Sequence, residues 1–518
     1  MRLPFQSALF IILLGVLHLS HAQNGNGIIR GKIIDSQSAL PLPFVSIKIK
    51  SKMMGVVSNS DGDFQIPLKF KTLDDSIVIS CIGYTTTTLS FNDLDENIIN
   101  TIKVKPSVRS LDEVMITTKK RISPAKVLSM AIKNIKNNYP HEPFSYIAYY
   151  RDYQQLDTSY LNLNEAIVEV FDEGFQTNDL LNTKILLYEY KINTDFPRDT
   201  STSIPYDNKP GKFGHGKNKY IPNAILSPLG GNELSILRIH DAIRNNNQFS
   251  YSFINVFIQD FEKNHFLKME KAVNLDTISL YCISFESKYS ASGPRNFSKG
   301  RLYIEKGNFA IHKIEYATYN KTMRETQLMY EIQTEYSRSG SFMHLNYISF
   351  ANQFKTQNDT DFKVIEILYN EEKNAFVLDF NTIPEKESVL DTSNYEFMID
   401  NHHLQVLNAQ MKGERQVYLF LDEASRSYLG KNFEAMSSKL KLNVKNIRDV
   451  DNRELDKITG STLFQFRELF VQKLMSNTSL PVSTSWVNKN IPLSLSISDP
   501  SKVAISNFWM NSPLKKKE

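Results

Sequence analysis

One short motif contains side chains with the chemistry of a zinc site. His312 and Glu315 have the types and spacing of a zinc-ligand pair. His312, however, lies in the run from Phe309 to Tyr319, whose aromatic and β-branched residues predict a strand. Residues three apart on a strand point to opposite faces, so we do not expect this pair to share a metal ion. We interpret His312 as a surface histidine on a strand.

A second candidate for metal binding is the tripeptide Asn401-His402-His403, which places two imidazoles next to each other in the sequence. Imidazole is a common ligand of transition metals, but adjacent side chains diverge on regular secondary structure. We therefore expect adventitious metal binding there at most, and no resident metal ion.

The glycine-rich segment from Gly211 to Lys217 superficially resembles a phosphate-binding loop. Such a loop requires Gly, four residues and Gly-Lys followed by Ser or Thr, after a buried strand. Asn218 follows Lys217 here, and no buried strand leads into the segment. Glycines in a proline-rich loop explain the composition more simply, so nucleotide binding is not expected.

Nucleophilic catalysis has little support in the sequence. There is no Gly-x-Ser-x-Gly elbow, and the ten histidines are scattered. Cys81 and Cys282, the only cysteines, lie in the apolar, strand-like runs from Ile77 to Ile82 and from Leu280 to Phe285. We predict buried thiols, with one long-range disulfide or a reactive thiol as alternatives. The sequence thus predicts no enzyme, no catalytic residue, no metal and no cofactor, with an unrecognised hydrolase as the less favoured alternative.

The composition is that of a globular protein with room for two or more cores. The chain has 518 residues, of which 41% are hydrophobic and 22% charged, and its formal net charge is +4. Nucleic acid binding requires a concentrated basic face, which so small a charge imbalance does not suggest, so we expect no nucleic acid partner. The one dense basic run is Lys515 to Lys517. We interpret it as a solvated tail in preference to a segment that contacts a lipid surface.

The first 22 residues have the pattern of a cleavable signal peptide. Arg2 supplies the positive start, Ala8 to Leu17 the apolar centre, and Ser20-His21-Ala22 the small-residue cleavage pattern, which would leave Gln23 first. The apolar run is shorter than the roughly twenty residues of a membrane helix, and no later segment is long enough to span. We expect an exported protein without a transmembrane helix, in the periplasm or at the outer-membrane periphery.

Residues 27–106 alternate short strands with turn residues, which is typical of an all-β sandwich. The turn Ser60-Asp61-Gly62-Asp63 is predicted to close a hairpin, and this is favoured over a calcium loop, whose other ligands are missing. The predicted strands are Ile28 to Ile34, Phe44 to Ile49, Phe64 to Pro67, Ser76 to Ile82, Thr85 to Phe91 and Ile98 to Val104.

Five segments of this region resemble the carboxypeptidase regulatory-like domain. That family implies a transthyretin-like sandwich, and the same module precedes the plug of many TonB-dependent receptors in the Bacteroidetes. There it ends in a segment similar to Leu111-Asp112-Glu113-Val114, which here lies in a linker at 107–122. The chain looks too short for the rest of such a receptor, so transport activity is not expected. The matching segments are Gly31 to Asp35, Leu40 to Pro43, Val45 to Ile47, Asp61 to Phe64 and Ile82 to Tyr84.

The resemblance also allows a test for a metallocarboxypeptidase. That family implies an Asn-Arg pair that grips the substrate carboxylate, for which Asn452-Arg453 is the candidate here. In the family the third zinc ligand follows this pair, and the catalytic domain precedes the sandwich. Here His403 is the last histidine and comes before Asn452. The order of the motifs therefore argues against zinc hydrolysis.

The remainder, residues 123–518, is predicted to be one β-rich domain with a few helices. Strands are predicted at Tyr146 to Tyr153, Tyr160 to Phe171, Ile185 to Tyr190 and Phe266 to Val273, with two hairpins between Arg301 and Phe350. A proline-rich long loop is expected near 193–232. The fold class is therefore mainly β, or α+β overall: a transthyretin-like sandwich followed by a large antiparallel sheet.

Three helices are predicted in this remainder. Ser123 caps the first, which reaches Tyr139 with one apolar face, and Ile236, Ile239 and Ile243 suggest a short second one. The third begins at the capping-box-like Thr462-Leu463-Phe464-Gln465. Its apolar face is interpreted as core, or alternatively as a partner-docking surface, and consists of Leu463, Phe466, Phe470 and Leu474.

Two functions fit these observations. The favoured one is a non-catalytic protein of the cell envelope that binds a protein, glycan or surface partner. The alternative is a periplasmic carrier of lipid or lipoprotein, because a helix on a long sheet with the hairpin at Gly300 to Glu305 faintly resembles the half-barrel of lipoprotein-sorting proteins. Such a carrier would line a concave sheet with apolar side chains. The oligomeric state is not predicted.

Overall fold

A computed structural model describes most of the chain as two compact units. The first contains residues 1–199, 228–353 and 464–518, and the second contains 200–227 and 354–463. The predicted signal peptide, linker residues 108–121, most of the long loop and Lys515 to Lys517 lie outside the described residues. Those described are 27–52, 54–72, 75–107, 122–156, 159–199, 219–220, 232–246, 261–292, 296–321, 326–356, 362–399, 402–429, 440–456, 462–475, 485–499 and 505–514.

The N-terminal module is a β-sandwich, as predicted. Its two sheets have the strand orders β4-β1-β7 and β3-β2-β5-β6, with β1 and β7 parallel. Alternate residues of β1, such as Ile29 and Ile33, are buried between the sheets, because side chains of a strand alternate between its faces. The strands are β1 Ile28–Asp35, β2 Ser46–Ile49, β3 Met54–Val57, β4 Asp63–Pro67, β5 Ser76–Ser80, β6 Thr87–Ser90 and β7 Ile99–Val104.

The turn at Ser60 to Asp63 does not close a hairpin, and this prediction was wrong. It leads from β3 in one sheet to β4 in the other, so the two strands face each other across the core. The Asn59 side chain fixes the turn by accepting hydrogen bonds from the backbone N–H groups of Asp61 and Asp63 (2.9 and 2.8 Å). Gly62 has φ +76°, and a Cβ there would lie 2.5 Å from the Ile33 carbonyl oxygen. The turn chemistry was thus identified correctly, but not the strand pairing.

The predicted helix after Ser123 forms in two pieces, α1 (Pro124–Lys133) and α2 (Ile135–Asn138). The Ser123 side chain caps α1 by accepting a hydrogen bond from the Lys126 N–H (3.2 Å). Asn134 separates the pieces, since its side chain donates to the Met130 carbonyl (2.8 Å) and competes with the helical pattern. The Tyr139 hydroxyl then donates to the Ile311 carbonyl (2.7 Å), which fixes the end of α2 on the large sheet.

Twelve of the described strands form one large sheet. Along it the order is β10-β9-β8-β26-β18-β17-β16-β15-β14-β12, and β11 and β13 pair with β18 and β14. Both predicted hairpins are confirmed as β15–β16 and β17–β18, whereas the predicted strand from Phe266 to Val273 is divided between β12 and β13. The strands are β8 Phe144–Leu156, β9 Ser159–Asp172, β10 Lys184–Ile192, β11 Lys219–Tyr220, β12 His265–Met269, β13 Val273–Leu275, β14 Ile278–Ser287, β15 Asn296–Glu305, β16 Ile311–Lys321, β17 Thr326–Ser339, β18 Phe342–Thr356 and β26 Thr462–Met475.

The prediction of a helix after Thr462 was wrong, because these residues form β26 between β8 and β18. Phe466 and Phe470 are four apart, and a spacing of four keeps residues on one face of a strand as well as of a helix. On that face Phe466 stacks on Tyr153 and Phe470 on Tyr149, with ring centroids 4.9 and 5.9 Å apart. A register shift between Val471 and Lys473 places Leu474 on the other face, against the apolar core. Residues 462–475 form a strand and not a helix because they pair with a neighbouring strand on each side.

The remaining helices of the first unit are short. Among the residues that the structure describes, no helix combines the length and hydropathy needed to cross a bilayer. These helices are α3 Asp179–Asn182, α4 Glu233–Ile239, α5 Phe261–Asn264 and α6 Tyr289–Ser292, with 3₁₀ turns at Leu68–Phe70, Phe91–Asp93, Leu493–Leu495 and Ile505–Asn507.

One face of the large sheet is apolar and is packed against α1, α2 and α4. Two buried arginines hold the segment of α4 on this face. Arg244 makes a bidentate pair with Asp172, with N···O distances of 2.8 and 2.9 Å, and Arg238 pairs with Asp179. We name these four residues the Asp-Arg cluster. Removing one partner of such a buried pair leaves an uncompensated charge, so the cluster fixes α4 in a single position.

The opposite face of the large sheet packs against the N-terminal module. The Phe44 ring of the module stacks on Tyr347 of β18, with centroids 5.1 Å apart. The segment from Phe508 to Ser512 lies along the same contact. Trp509 donates from Nε1 to the Gln65 carbonyl (2.8 Å), and its own carbonyl accepts from the Gln472 side chain (2.7 Å). This segment therefore joins edge strand β4 of the module to β26 of the sheet.

The second unit is a smaller β structure that the sequence analysis did not separate from the rest. Its strands form two sheets, with the orders β19-β20-β24-β23 and β22-β21-β25. Both contribute to one apolar core that includes Phe376, Phe397 and Leu419. The elements are β19 Val364–Asn370, β20 Ala375–Phe380, α7 Lys386–Leu390, a 3₁₀ turn Thr392–Asn394, β21 Tyr395–Ile399, β22 His402–Leu404, β23 Val406–Lys412, β24 Gln416–Leu421, α8 Glu423–Leu429 and β25 Leu440–Val444.

The contact made by Trp509 predicts a large loss of stability on truncation of its side chain. Trp509 is buried, and its ring lies 4.8 Å from that of Phe70. Trp509→Ala is expected to reduce the free energy of unfolding by about 3–5 kcal/mol and to raise hydrogen exchange in β4. Leu495→Ala, at a site with 67% exposure, is the control and should change neither quantity. Equal stability of the two variants in urea unfolding would contradict this role.

A buried carboxyl on the apolar face predicts a dependence of stability on pH. Burial, reinforced by the Glu233 carboxylate, raises the pKa of Asp152 to about 6. The folded state then binds more protons than the unfolded one between pH 4 and 6, so this contribution is lost as the pH rises through that window. Asp152→Asn is expected to stabilise the protein by about 3 kcal/mol at pH 7.5 and by much less at pH 4.5.

The measurement is urea unfolding of both proteins at the two pH values. The Asn side chain keeps the oxygen that accepts a hydrogen bond from Asn164 (3.0 Å). Asp276→Asn, at an exposed position, serves as the control and should have the same effect at both pH values. A stabilisation by Asp152→Asn that does not change with pH would argue against a raised pKa.

Candidate functional site

The face of the large sheet opposite the apolar one is named the polar face where the module does not cover it. A groove with a volume of about 640 Å³ crosses this face on β12, β14, β15, β16 and β17. Small-molecule sites are commonly clefts of roughly 300–1,000 Å³, so the groove is large enough for a ligand. The Asp-Arg cluster also lines a cavity, but that one holds only about 20 Å³. This is room for about one water molecule, so the cluster is structural and the groove is the candidate site.

Strand alternation determines which side chains reach the groove. On β15, Leu302 and Ile304 are buried in the apolar core, whereas Lys299 and Arg301 are exposed on the other face. The register places Arg301 opposite Glu315, which in turn faces Gln333 on β17. Neighbouring strands lie about 4.8 Å apart, so side chains that are paired in this way are close enough to contact one ligand.

The charged side chains of the groove are balanced in sign. Three cations and three carboxylates line it, which are Lys268, Lys299, Arg301, Glu286, Glu315 and Glu331. Burial, together with the nearby Glu468 and Glu315 carboxylates, raises the pKa of Glu331 above its usual range. Among the described residues, no cation lies within ion-pair distance of Glu331. Its carboxylate is therefore available to a ligand as a hydrogen-bonding group.

One end of the groove is aromatic. The rings of Phe297 and Tyr319 stack with centroids 5.2 Å apart, and the Lys299 ammonium lies 4.9 Å from the Tyr319 ring centre. Phe266 on edge strand β12 is 65% exposed, with Lys288 over its ring at 5.4 Å. The negatively polarised faces of these rings attract cations and C–H groups.

The other end of the groove runs towards the module. There Glu315 is held in place by the Lys313 ammonium at 2.9 Å and by the Tyr303 hydroxyl, which donates to it at 3.4 Å. Cys81 of the module lies close enough to Lys313 and Glu315 to interact with both electrostatically.

The residues of the predicted zinc motifs do not come together. His312 is buried, not on the surface as predicted, because its Nε2 pairs with Glu305 (3.1 Å) and the strand pairing places it inside. Glu315 lies on the opposite face, as expected from strand alternation. Arg453 belongs to the second unit, where it pairs with Asp449 and Asp451 at 2.7 Å.

The paired histidines also diverge. His402 stacks on Tyr428, with centroids 4.0 Å apart, whereas Nδ1 of His403 lies 3.6 Å from Glu396. Across the described ranges, no three His, Cys, Asp or Glu side chains are grouped as a metal site would require. Gly211 to Lys217 and Asn401 lie outside these ranges.

The sequence analysis considered Glu315 only as a zinc ligand, which it rejected, and did not identify the other groove residues as site residues. Charges at alternate positions of β15, β16 and β17 were the available signal, and these strands were predicted. Alternation alone, however, does not tell a solvated face from a binding face. The groove becomes visible only when the register of five strands and the area covered by the module are known.

Comparison with known proteins identifies the module. Residues 29–116 match the model of the CarboxypepD_reg-like domain, so the predicted resemblance of the N-terminal module is confirmed. No curated protein matches the chain.

Comparison with solved structures gives matches of low similarity, including the following two. A LolA superfamily protein from Nitrosomonas europaea has 11% identity and a TM-score of 0.19, over 45% of this chain and 86% of its own. An outer membrane lipoprotein-sorting protein domain from Vibrio parahaemolyticus has 13% identity and a TM-score of 0.21, over 44% and 86%. Scores this low carry no argument about fold or function.

Both cysteines are free thiols, with Cys282 buried and Cys81 half-buried, and their surroundings predict slow reaction. Burial raises the pKa of Cys81 to about 12 and that of Cys282 to about 11, although Lys313 and Arg301 respectively oppose the shift. A thiol reacts as its thiolate, so both should label slowly with an aromatic disulfide reagent at pH 7.5 and rapidly after unfolding in guanidinium. Rapid labelling of either thiol in the folded protein, counted by absorbance, would contradict this prediction.

Proposed function

We propose that this chain is an exported, non-catalytic protein of the cell envelope that binds a partner through the groove. The observation that carries the proposal is the open volume of about 640 Å³ with cations, carboxylates and aromatic rings on its walls. The signal-peptide pattern of residues 1–22 supports export. The CarboxypepD_reg-like module supports a role in the envelope, where such modules precede the plugs of receptors.

The side chains of the groove are better suited to binding a ligand than to catalysing a reaction. Its side chains supply hydrogen bonds, ion pairs and stacking, and Glu315 is already held by Lys313 and Tyr303. The two thiols of the chain are poor nucleophiles because burial raises their pKa. These features favour a site that holds a ligand without changing it.

The packing of the apolar face favours the groove over the carrier alternative. A carrier needs an apolar hollow for an acyl chain, but this face is filled by the side chains of α1, α2 and α4. The cavity that lies there next to the Asp-Arg cluster has about 20 Å³, far less than an acyl chain occupies. Binding on the polar face therefore accounts better for the described residues.

Loss of two charged groove residues is expected to weaken envelope binding. Purified chain starting at Gln23 is labelled and titrated against isolated outer membrane, cell wall and soluble periplasmic fractions. The double variant Arg301→Ala/Glu331→Ala should bind at least tenfold more weakly, because each hydrogen bond to a charged group contributes about 1.5–3 kcal/mol.

The matched control removes one cation and one carboxylate elsewhere. Arg426→Ala/Glu423→Ala changes the exposed surface of α8 in the second unit and should bind like the unchanged protein. Both double variants should show the unfolding transition of the parent. If the groove variant binds as tightly as the control, the groove is not the binding site.

A further inference from the structure

The hydrogen-bonding groups of the groove form two parallel rows across the sheet. The register aligns Lys268, Ser284, Arg301, Glu315 and Gln333 in the first row. It aligns Phe266, Glu286, Lys299, Ala317 and Glu331 in the second. Each row spans five strands and four intervals, which gives a length of about 19 Å. The site is therefore shaped for an extended ligand that lies across the strands.

The rows alternate donors with acceptors. In the first row, Arg301 is a donor next to the acceptor Glu315, and Gln333 can do both. In the second row, the donor Lys299 lies next to Glu286, and Glu331 follows after Ala317. A hydroxyl group donates one hydrogen bond and accepts others, so it can bridge a carboxylate and a cation at once.

A charged ligand fits this pattern less well than a neutral one. A polyanion would lie against Glu286, Glu315 and Glu331, and a polycation against the three basic groups. Like charges placed together cost binding energy, whereas a neutral ligand rich in hydroxyl groups can form a hydrogen bond with each polar side chain of the rows. The balance of charges in the groove therefore favours a ligand without net charge.

The aromatic end of the groove adds a second, independent feature. Tyr319 and Phe297 form a stacked pair beside the second row, and Phe266 exposes most of its ring at the far edge. The electron-rich face of an aromatic ring attracts polarised C–H groups. A pyranose ring presents C–H groups on its flat faces and hydroxyl groups around its rim, which matches rings beside a polar row.

We propose that the ligand of the groove is a neutral oligosaccharide several sugar units long. One sugar ring packs against the stacked pair of Tyr319 and Phe297, and the hydroxyl groups of the following units bridge the carboxylates and cations of the two rows. This assignment rests on the proposed binding function and names the class of ligand that the same site takes.

Calorimetric titration of the chain from Gln23 onward tests the ligand class. The probes are neutral hexasaccharides of glucose, mannose, xylose, galactose and N-acetylglucosamine, hexagalacturonate as the anion and the chitosan hexamer as the cation. At least one neutral probe is expected to bind, with an affinity that changes less than twofold between 0.05 and 0.5 M salt, because screening acts on charged ligands only.

Substitutions at the aromatic end test the position of the sugar. Tyr319→Ala is expected to weaken binding of the neutral probe about tenfold, whereas Tyr319→Phe, which keeps the ring, should bind within twofold of the parent. Tyr289→Ala removes a tyrosine with 72% exposure outside the groove and is the matched control. Thermal unfolding of each variant shows whether it folds. If Tyr319→Ala does not fold, binding of the neutral probe is measured with Glu331→Gln, which keeps the size of the side chain.

The outcomes separate this assignment from the proposed function. If only a charged probe binds, or if no neutral probe binds while the groove variant still loses envelope binding, the sugar assignment is overturned and the binding function stands. If neither probes nor envelope fractions depend on the groove, both are overturned. Shortened sugars after long incubation would overturn the non-catalytic assignment and leave the ligand class intact.

Discussion

The first unit depends on the pairing of β26 with β8 in the middle of the large sheet. Without it, β8, β9 and β10 would have no described hydrogen-bonded connection to the strands from β18 to β12. Arg151 and Glu468 face each other across this pairing and are both fully buried. The residues are more than three hundred positions apart in sequence, so closing this contact restricts the whole intervening chain.

This pairing also produces the two different faces of the sheet. Once β26 is inserted, Phe470 stands on the face that the module covers, next to Tyr149 and near Tyr347. This aromatic surface belongs to the same hydrophobic core as the buried residues of the module. Because the module covers only part of the face, the charged residues of β14 to β17 stay open and form the groove.

Buried charge has two different uses in this unit. In the Asp-Arg cluster, Arg244 and Asp172 satisfy each other in a space that leaves room for about one water molecule. In the groove, Glu331 is partly buried beside other carboxylates, and no described cation lies within ion-pair distance of it, in a volume of about 640 Å³. Charges that pair closely fix an element in place, whereas balanced charges around an open volume leave hydrogen-bonding capacity for a ligand. The difference lies in the geometry and not in the residue types.

The sequence by itself determined the features that depend on neighbours in the chain. All of the sandwich strands except β3, the cap at Ser123, the left-handed Gly62 and the two hairpins of β15 to β18 follow from alternation and turn chemistry, which act over a few residues. Tertiary structure decided what depends on distant partners. It turned residues 462–475 into a strand, linked β3 to β4 across two sheets, buried His312 and brought Arg301, Glu315 and Glu331 together. A spacing of four residues is compatible with both a helix and a strand, and alternating charges are compatible with both a solvated face and a binding face. Only the packing of the whole unit decides which of these forms.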